Sequence, residues 1–252
     1  MRLRSTAGTN PAFARATTLD AKRSKPESAA QASLALLAPG DNRVDPLVTA
    51  AFSHGDVYVR KVREVRANLL KTAREGGALA GMMRLAVLSL HAGDEASILA
   101  ANLATVLAQM DGPTILVDAD IEHPSLDRLL RIPNQIGLAE QLAGMALRLP
   151  VMPTAIERLW LMPGGQAVNG AGSLIEKRSL AEAADGWNLP DANLVAYLAE
   201  RPRGGTAFGN ILEKFNAVVL VVQRGVTSLG EIRRVIDDLD RHGIPIAGSV
   251  VS

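Results

Sequence analysis

The sequence contains no cysteine, which excludes a disulfide framework, thiolate catalysis and cysteine-bound zinc. Aromatic residues make up only 3% of it. Base stacking on aromatic rings therefore has little to work with, and this argues against nucleic acid as a partner. No run approaches the roughly 18 uninterrupted apolar residues of a spanning helix, so a soluble chain is expected. The opening Met1-Arg-Leu-Arg-Ser-Thr-Ala-Gly8 lacks the apolar stretch of a secretory signal. Its Arg, Ser, Thr and Ala content is shared with transit peptides, and it reads as a flexible tail. The four histidines, His54, His91, His123 and His242, have no metal-ligand spacing with one another.

What is present is a core. Of 252 residues 48% are hydrophobic and 21% charged, enough to fill one large domain behind a tail. The expected organisation is a basic tail over 1–45 and an α/β domain over 46–252. A net charge of +1 hides an asymmetry. Arg2, Arg4, Arg15, Lys22, Arg23 and Lys25 face only Asp20 and Glu27 in the first thirty residues, and residues 60–74 hold six cations against Glu64. The rest of the chain is therefore acidic.

Residues 57–74 have helical periodicity, with Tyr58, Val62, Val65 and Leu69 on one face and Arg60, Arg63, Lys71 and Arg74 opposite. That basic face is either plainly solvated or a contact for an acidic partner, a membrane surface or a neighbouring subunit. Gly76, Gly77 and Gly81 break the helix. Leu85–Leu90 reads as a buried strand, 91–97 as a loop, Ile98–Met110 as a helix and Thr114–Val117 as a second strand, which together make a βαβ unit. Strands at 158–162, 193–198, 217–222 and 245–251, with a helix over 228–242, continue the alternation. Such fully apolar strands predict an open, doubly wound, mostly parallel sheet covered on both faces.

Ligands of such sheets bind at the carboxyl ends of the strands, where the 91–97 loop lies. A phosphate-binding loop needs glycines for close backbone approach, a Lys for the terminal phosphates and a Ser or Thr for Mg²⁺. Gly93 and Ser97 qualify, but Glu95 and Ala96 stand where Gly and Lys are wanted. The second strand ends in Asp118-Ala-Asp120, a carboxylate pair beside that loop.

Ser89-Leu-His-Ala-Gly-Asp-Glu-Ala-Ser-Ile-Leu-Ala-Ala-Asn-Leu-Ala104 resembles the first nucleotide motif of the bacterial tyrosine autokinases of capsule and exopolysaccharide synthesis. Ile115-Leu-Val-Asp-Ala-Asp-Ile-Glu-His-Pro-Ser125 resembles their second motif. Asn134–Gly144, Leu161–Gly165 and Val219–Thr227 follow in the family's order, and Arg63-Glu-Val-Arg-Ala-Asn-Leu69 is similar to its Arg-x-x-Arg-Thr-Asn-Leu helix. The resemblance implies a P-loop NTPase-type fold over about residues 55–252.

The departures are as informative. The family's Gly, Lys and Thr are Glu95, Ala96 and Ile98, and the Arg of the second motif is Glu122. The Asp of the third motif aligns with Ala199 in Ala199-Glu200-Arg201-Pro202, with Glu200 as a stand-in if the register shifts by one. The Glu that supports ring assembly is Arg60, and no tyrosine-rich tail follows; Tyr58 and Tyr197 are the two tyrosines of this sequence.

The resemblance then implies a vestigial nucleotide site made of Gly93, Asp94, Glu95, Ala96, Ser97, Ile98, Asp118 and Asp120. ATP would bind weakly if at all, and Ser97 and Asp118 would be the Mg²⁺ ligands if the ion is retained. Arg60, Arg63 and Arg66 would dock to a partner: an inner-membrane polysaccharide co-polymerase of the chain-length determinant kind, anionic lipid or a second copy. The implied place is cytoplasmic, peripheral to the inner membrane. A weakly active autokinase or ATPase is the alternative, and a partition-type ATPase relative that binds DNA is another.

Overall fold

In the computed structural model the described residues are 36–78, 83–91, 93–146, 150–166, 175, 179–185, 187, 192–199 and 208–252. Helix α1 (Val57–Glu75) starts on the Asp56 carboxylate, which accepts from the Tyr58 N–H at 2.7 Å, and it ends at Gly76 and Gly77. Then follow β1 (Arg84–Ser89), α2 (Asp94–Met110), β2 (Thr114–Asp118), α3 (Leu126–Leu130) and α4 (Leu138–Leu142). The later half gives β3 (Met152–Pro153), β4 (Leu159–Met162), α5 (Leu180–Asp185), β5 (Asn193–Ala199), α6 (Phe208–Ile211), β6 (Ala217–Val222), α7 (Leu229–Arg241) and β7 (Ile246–Val251).

The seven strands are ordered β3-β4-β2-β5-β1-β6-β7, and every neighbouring pair is parallel except β3 with β4. The unbroken apolar runs explain this arrangement. Leu85 and Val87 of β1 point into one core with α1 and α2, while Ala86 and Leu88 point into a second core with α7. Strands β5 and β6 alternate in the same way, Val195, Tyr197 and Val219 to the first core and Leu194, Ala196 and Leu220 to the second. A strand walled by helices on both faces has no polar side to show.

Helix α2 is buried on nearly every side, and its Ala and Leu content suits that. Part of its cover comes from residues 36–52. The sequence places 36–45 in the tail, but Val44 is buried and Leu37 packs against the first core. Val48, Ala50 and Ala51 are buried with it. Asn102, fully enclosed in α2, fixes this strap: its Oδ1 accepts from Ala50 N–H at 2.9 Å, and its Nδ2 donates to Leu47 O at 2.9 Å and to Ile98 O at 2.8 Å. Gln109 adds a bond to Ala50 O.

Asn102→Ala would leave the buried Ala50 N–H without its partner and remove the bond to the Leu47 carbonyl. The expected loss is on the order of 2–4 kcal/mol of unfolding free energy, read by urea denaturation. A loss below about 1 kcal/mol would show that the strap adds little.

Candidate functional site

The carboxyl ends of β1, β2, β5 and β6 lie along one border of the sheet, and the loop after β1 sits there. It is shorter than the sequence suggests. Helix α2 begins at Asp94, not at Ile98, so Asp94, Glu95, Ala96 and Ser97 form its first turn. Two acids at a helix N-terminus are favoured by the partial positive charge of its N–H groups, and that explains the earlier start. The loop is braced by Leu90 N–H to Val221 O at 3.0 Å and by Ser89 Oγ–H to His91 O at 2.5 Å.

Ala96, which the resemblance sets at the phosphate-lysine position, is 2% exposed and packs into the first core. Ile98 packs partly against the same core. Glu95 is exposed and folds back, its Oε2 only 3.1 Å from where a Cβ on Gly93 would sit. The cavity bounded by Ser89, His91, Gly93, Glu95, Ala96, Val221, Gln223 and Ser252 has a volume of about 10 Å³, room for about one water. Gly93 is extended at φ 179, so it supplies close approach and not a left-handed turn.

Ser97 is buried, and its hydroxyl donates back to Asp94 O at 2.9 Å. Asp118 is fully enclosed at the end of β2. Its Oδ2 accepts from the N–H groups of Ser125 at 2.8 Å and Leu126 at 2.9 Å, so it caps α3 from across the loop. Its Oδ1 has no hydrogen-bond partner among the described residues. Burial pushes its pKa up to about 7, the two backbone N–H groups oppose that, and Asp120 and Asp127 push it further up. Asp120 is nearly buried and accepts from His123 N–H at 3.3 Å; Glu122 lies exposed beside it.

The residues do not fit the nucleotide and ion that the resemblance implies. The lysine position is a core alanine, a carboxylate lies over the glycine, and the serine hydroxyl is turned inward. Asp118 keeps one oxygen without a partner, enclosed in protein. Among the described residues, no group of three or more His, Asp or Glu is arranged to hold a metal.

Ala199, the residue that the resemblance aligns with the Asp of the third motif, ends β5 opposite Ser89 of β1. Glu200 and Pro202 lie outside the described residues. Tyr197, in β5, is 2% exposed. Tyr58 is half-buried, and burial raises its pKa to about 12.

The three arginines read as a docking surface part ways. Arg66 makes a two-point ion pair with Asp111 in the turn after α2, through Nε to Oδ2 at 2.5 Å and Nη2 to Oδ1. Arg63 leans inward, its Nη2 3.2 Å from His54 Nδ1. Of the three only Arg60 stands on the open surface, next to exposed Lys61.

Sequence reasoning missed two other fixtures. Asn102 belongs to the Ala-Ala-Asn-Leu-Ala segment quoted for its resemblance, but its role as the strap's anchor is not visible there. Glu140 is buried and accepts from Gly137 N–H at 2.7 Å and Gln166 N–H at 2.9 Å. It ties the Asn134–Gly144 segment to Gln166, the residue after Leu161–Gly165.

No family model matches the chain. The tyrosine-protein kinase ptk of Acinetobacter johnsonii is 22% identical over 158 residues, which is 62% of this chain and 21% of that protein. The chain thus matches about a fifth of the length of this curated relative. Among solved structures, the chimerical protein CapA2B2 superposes with a TM-score of 0.68 at 20% identity, over 86% of this chain and 93% of that one. The BceF tyrosine kinase domain gives 0.66 at 23% identity over 81% of each chain. The septum site-determining protein MinD with Mg-ADP from Pyrococcus horikoshii gives 0.54 at 22% identity, over 68% of this chain and 70% of that one. In sequence the chain is similar to part of a bacterial tyrosine-protein kinase, and in fold it is similar to a bacterial tyrosine kinase domain and to MinD.

Proposed function

We propose that the protein is a catalytically degenerate autokinase-like component of bacterial exopolysaccharide, capsule or holdfast-type polysaccharide synthesis and export. In this reading it works as partner or regulator of a membrane co-polymerase of the chain-length determinant kind, in the cytoplasm at the inner membrane. One observation carries the loss of catalysis: the phosphate-lysine position is Ala96, enclosed in the core, with the Glu95 carboxylate over Gly93. Phosphoryl transfer rests on positioning and charge stabilisation, so a loop without its cation loses a principal part of both. No helix among the described residues is long and apolar enough to cross a membrane, and a peripheral association fits that.

Calorimetry with ATP and ADP, with and without Mg²⁺, tests the degeneracy: no binding below millimolar nucleotide is expected. Tight, Mg²⁺-dependent binding would instead favour the weakly active autokinase. Affinity capture from solubilised membranes tests the partnership, and recovery of no polysaccharide-export component would count against it. For DNA binding the basic stripe is a poor platform, because Arg66 is engaged inside the domain.

A further inference from the structure

Away from the strand ends, a cavity of about 450 Å³ opens between the strap and the end of α3. Val44, Pro46 and Phe52 give it apolar walls, Asn42 and Thr49 line it with polar groups, and Arg131 completes it. Two features of Arg131 mark it out. Its backbone closes α3 in the left-handed region, φ 52 and ψ 43, where a Cβ is disfavoured and glycine is the usual occupant. Its side chain is 54% exposed and makes one ion pair among the described residues, Nη2 to Asp45 Oδ2 at 3.2 Å. An exposed pair of this kind adds little stability, so the pair is a weak reason for an arginine in a glycine's place.

The guanidinium carries five donors, and that ion pair leaves most of its fork available. Asp41, also at the cavity, does not compete for it. Arg43 holds that carboxylate through Nε at 3.0 Å and Nη2 at 2.6 Å.

We propose that this cavity binds a monosaccharide bearing a carboxylate or a phosphate. A pyranose ring has C–H faces that lie on proline and phenylalanine and hydroxyls that exchange hydrogen bonds with Asn42 and Thr49. The planar fork of Arg131 takes the anionic group at two points. The volume holds one such sugar with some water, within the range of small-molecule sites. The strap that Asn102 fixes supplies most of the lining, so the site is present without a nucleotide. Its test is independent of the nucleotide measurements.

Titration calorimetry of the full 252-residue chain with glucuronate, glucose 6-phosphate, glucose and inorganic phosphate decides it. Both anionic sugars are expected to bind at least about tenfold more tightly than glucose or phosphate alone. Arg131→Gly is expected to lose that affinity while its Tm holds or rises, because glycine suits the left-handed position. Arg131→Lys keeps the charge without the fork and falls between. Four results would overturn the proposal. They are no saturable binding of either sugar up to about 10 mM, phosphate alone binding as well as the sugar phosphate, undiminished binding by Arg131→Gly, and a Tm drop of more than about 3 °C in that variant.

Discussion

Rebuilding the loop as Glu95→Gly/Ala96→Lys is expected to strengthen ATP binding by at least about a hundredfold over the parent chain. A carboxylate about 4 Å from a phosphate charge costs up to roughly 4 kcal/mol at an effective dielectric near 20, and a lysine at the same distance returns a similar amount. Glu95 is exposed, so solvent screens much of its share. Half of the combined figure still exceeds two decades of affinity. Ala96→Lys alone should recover less than the double variant, because Glu95 would then pair with the new ammonium instead of leaving it to the phosphate. Ala96 packs into the first core, so the new side chain has to leave it along the loop, and a thermal melt of each variant belongs beside the calorimetry. If the double variant melts like the parent and gains no affinity, lost side chains are not what keeps nucleotide out. Attention would then turn to the 10 Å³ cavity and the loop backbone.

Asp118→Asn should stabilise the protein at pH 8 and do so less and less toward pH 4. The folded pKa stands at about 7 against an ordinary value of 3.8. The folded state therefore holds its proton more firmly than the unfolded chain, and stability falls as pH rises between those two values. Above pH 7 the whole penalty is present, on the order of 4 kcal/mol, whereas near pH 4 it is almost gone. An asparagine oxygen can accept from Ser125 and Leu126 as the carboxylate does, without charge. The variant should melt on the order of 10 °C higher at pH 8, with the difference closing in acid. Asp120 and Asp127 act on Asp118 in the same direction, so the gain does not depend on a single neighbour. A variant that is less stable at pH 8 would mean that the charged form is held by something the pair of N–H bonds does not account for.

The sheet was legible because burial on both faces leaves one kind of residue in the strands. Ala217–Val222 reads as a strand without any knowledge of its neighbours, and the structure places it there. The start of α2 was misread because polar residues 91–97 look like a loop, while Asp94 and Glu95 carry the ordinary composition of a first helical turn. The strap and the arginines failed for a different reason. Asn102 meets Ala50 across 52 positions and Arg66 meets Asp111 across 45, and no local pattern records either pairing. At the site, the sequence alone showed no lysine between His91 and Ile98. It did not show that Asp118 had become the cap of α3, because that use depends on how the chain returns after β2.

The placement of the two tyrosines bears on whether either can be phosphorylated. Tyr197 stands in the middle of the sheet, and Tyr58 is half sunk against the first core, its hydroxyl reluctant to ionise. To offer Tyr197 to any active site, its own or another copy's, this domain would have to unfold a central strand. Within the folded domain neither tyrosine stands on the open surface. An anti-phosphotyrosine blot of the folded domain should stay blank.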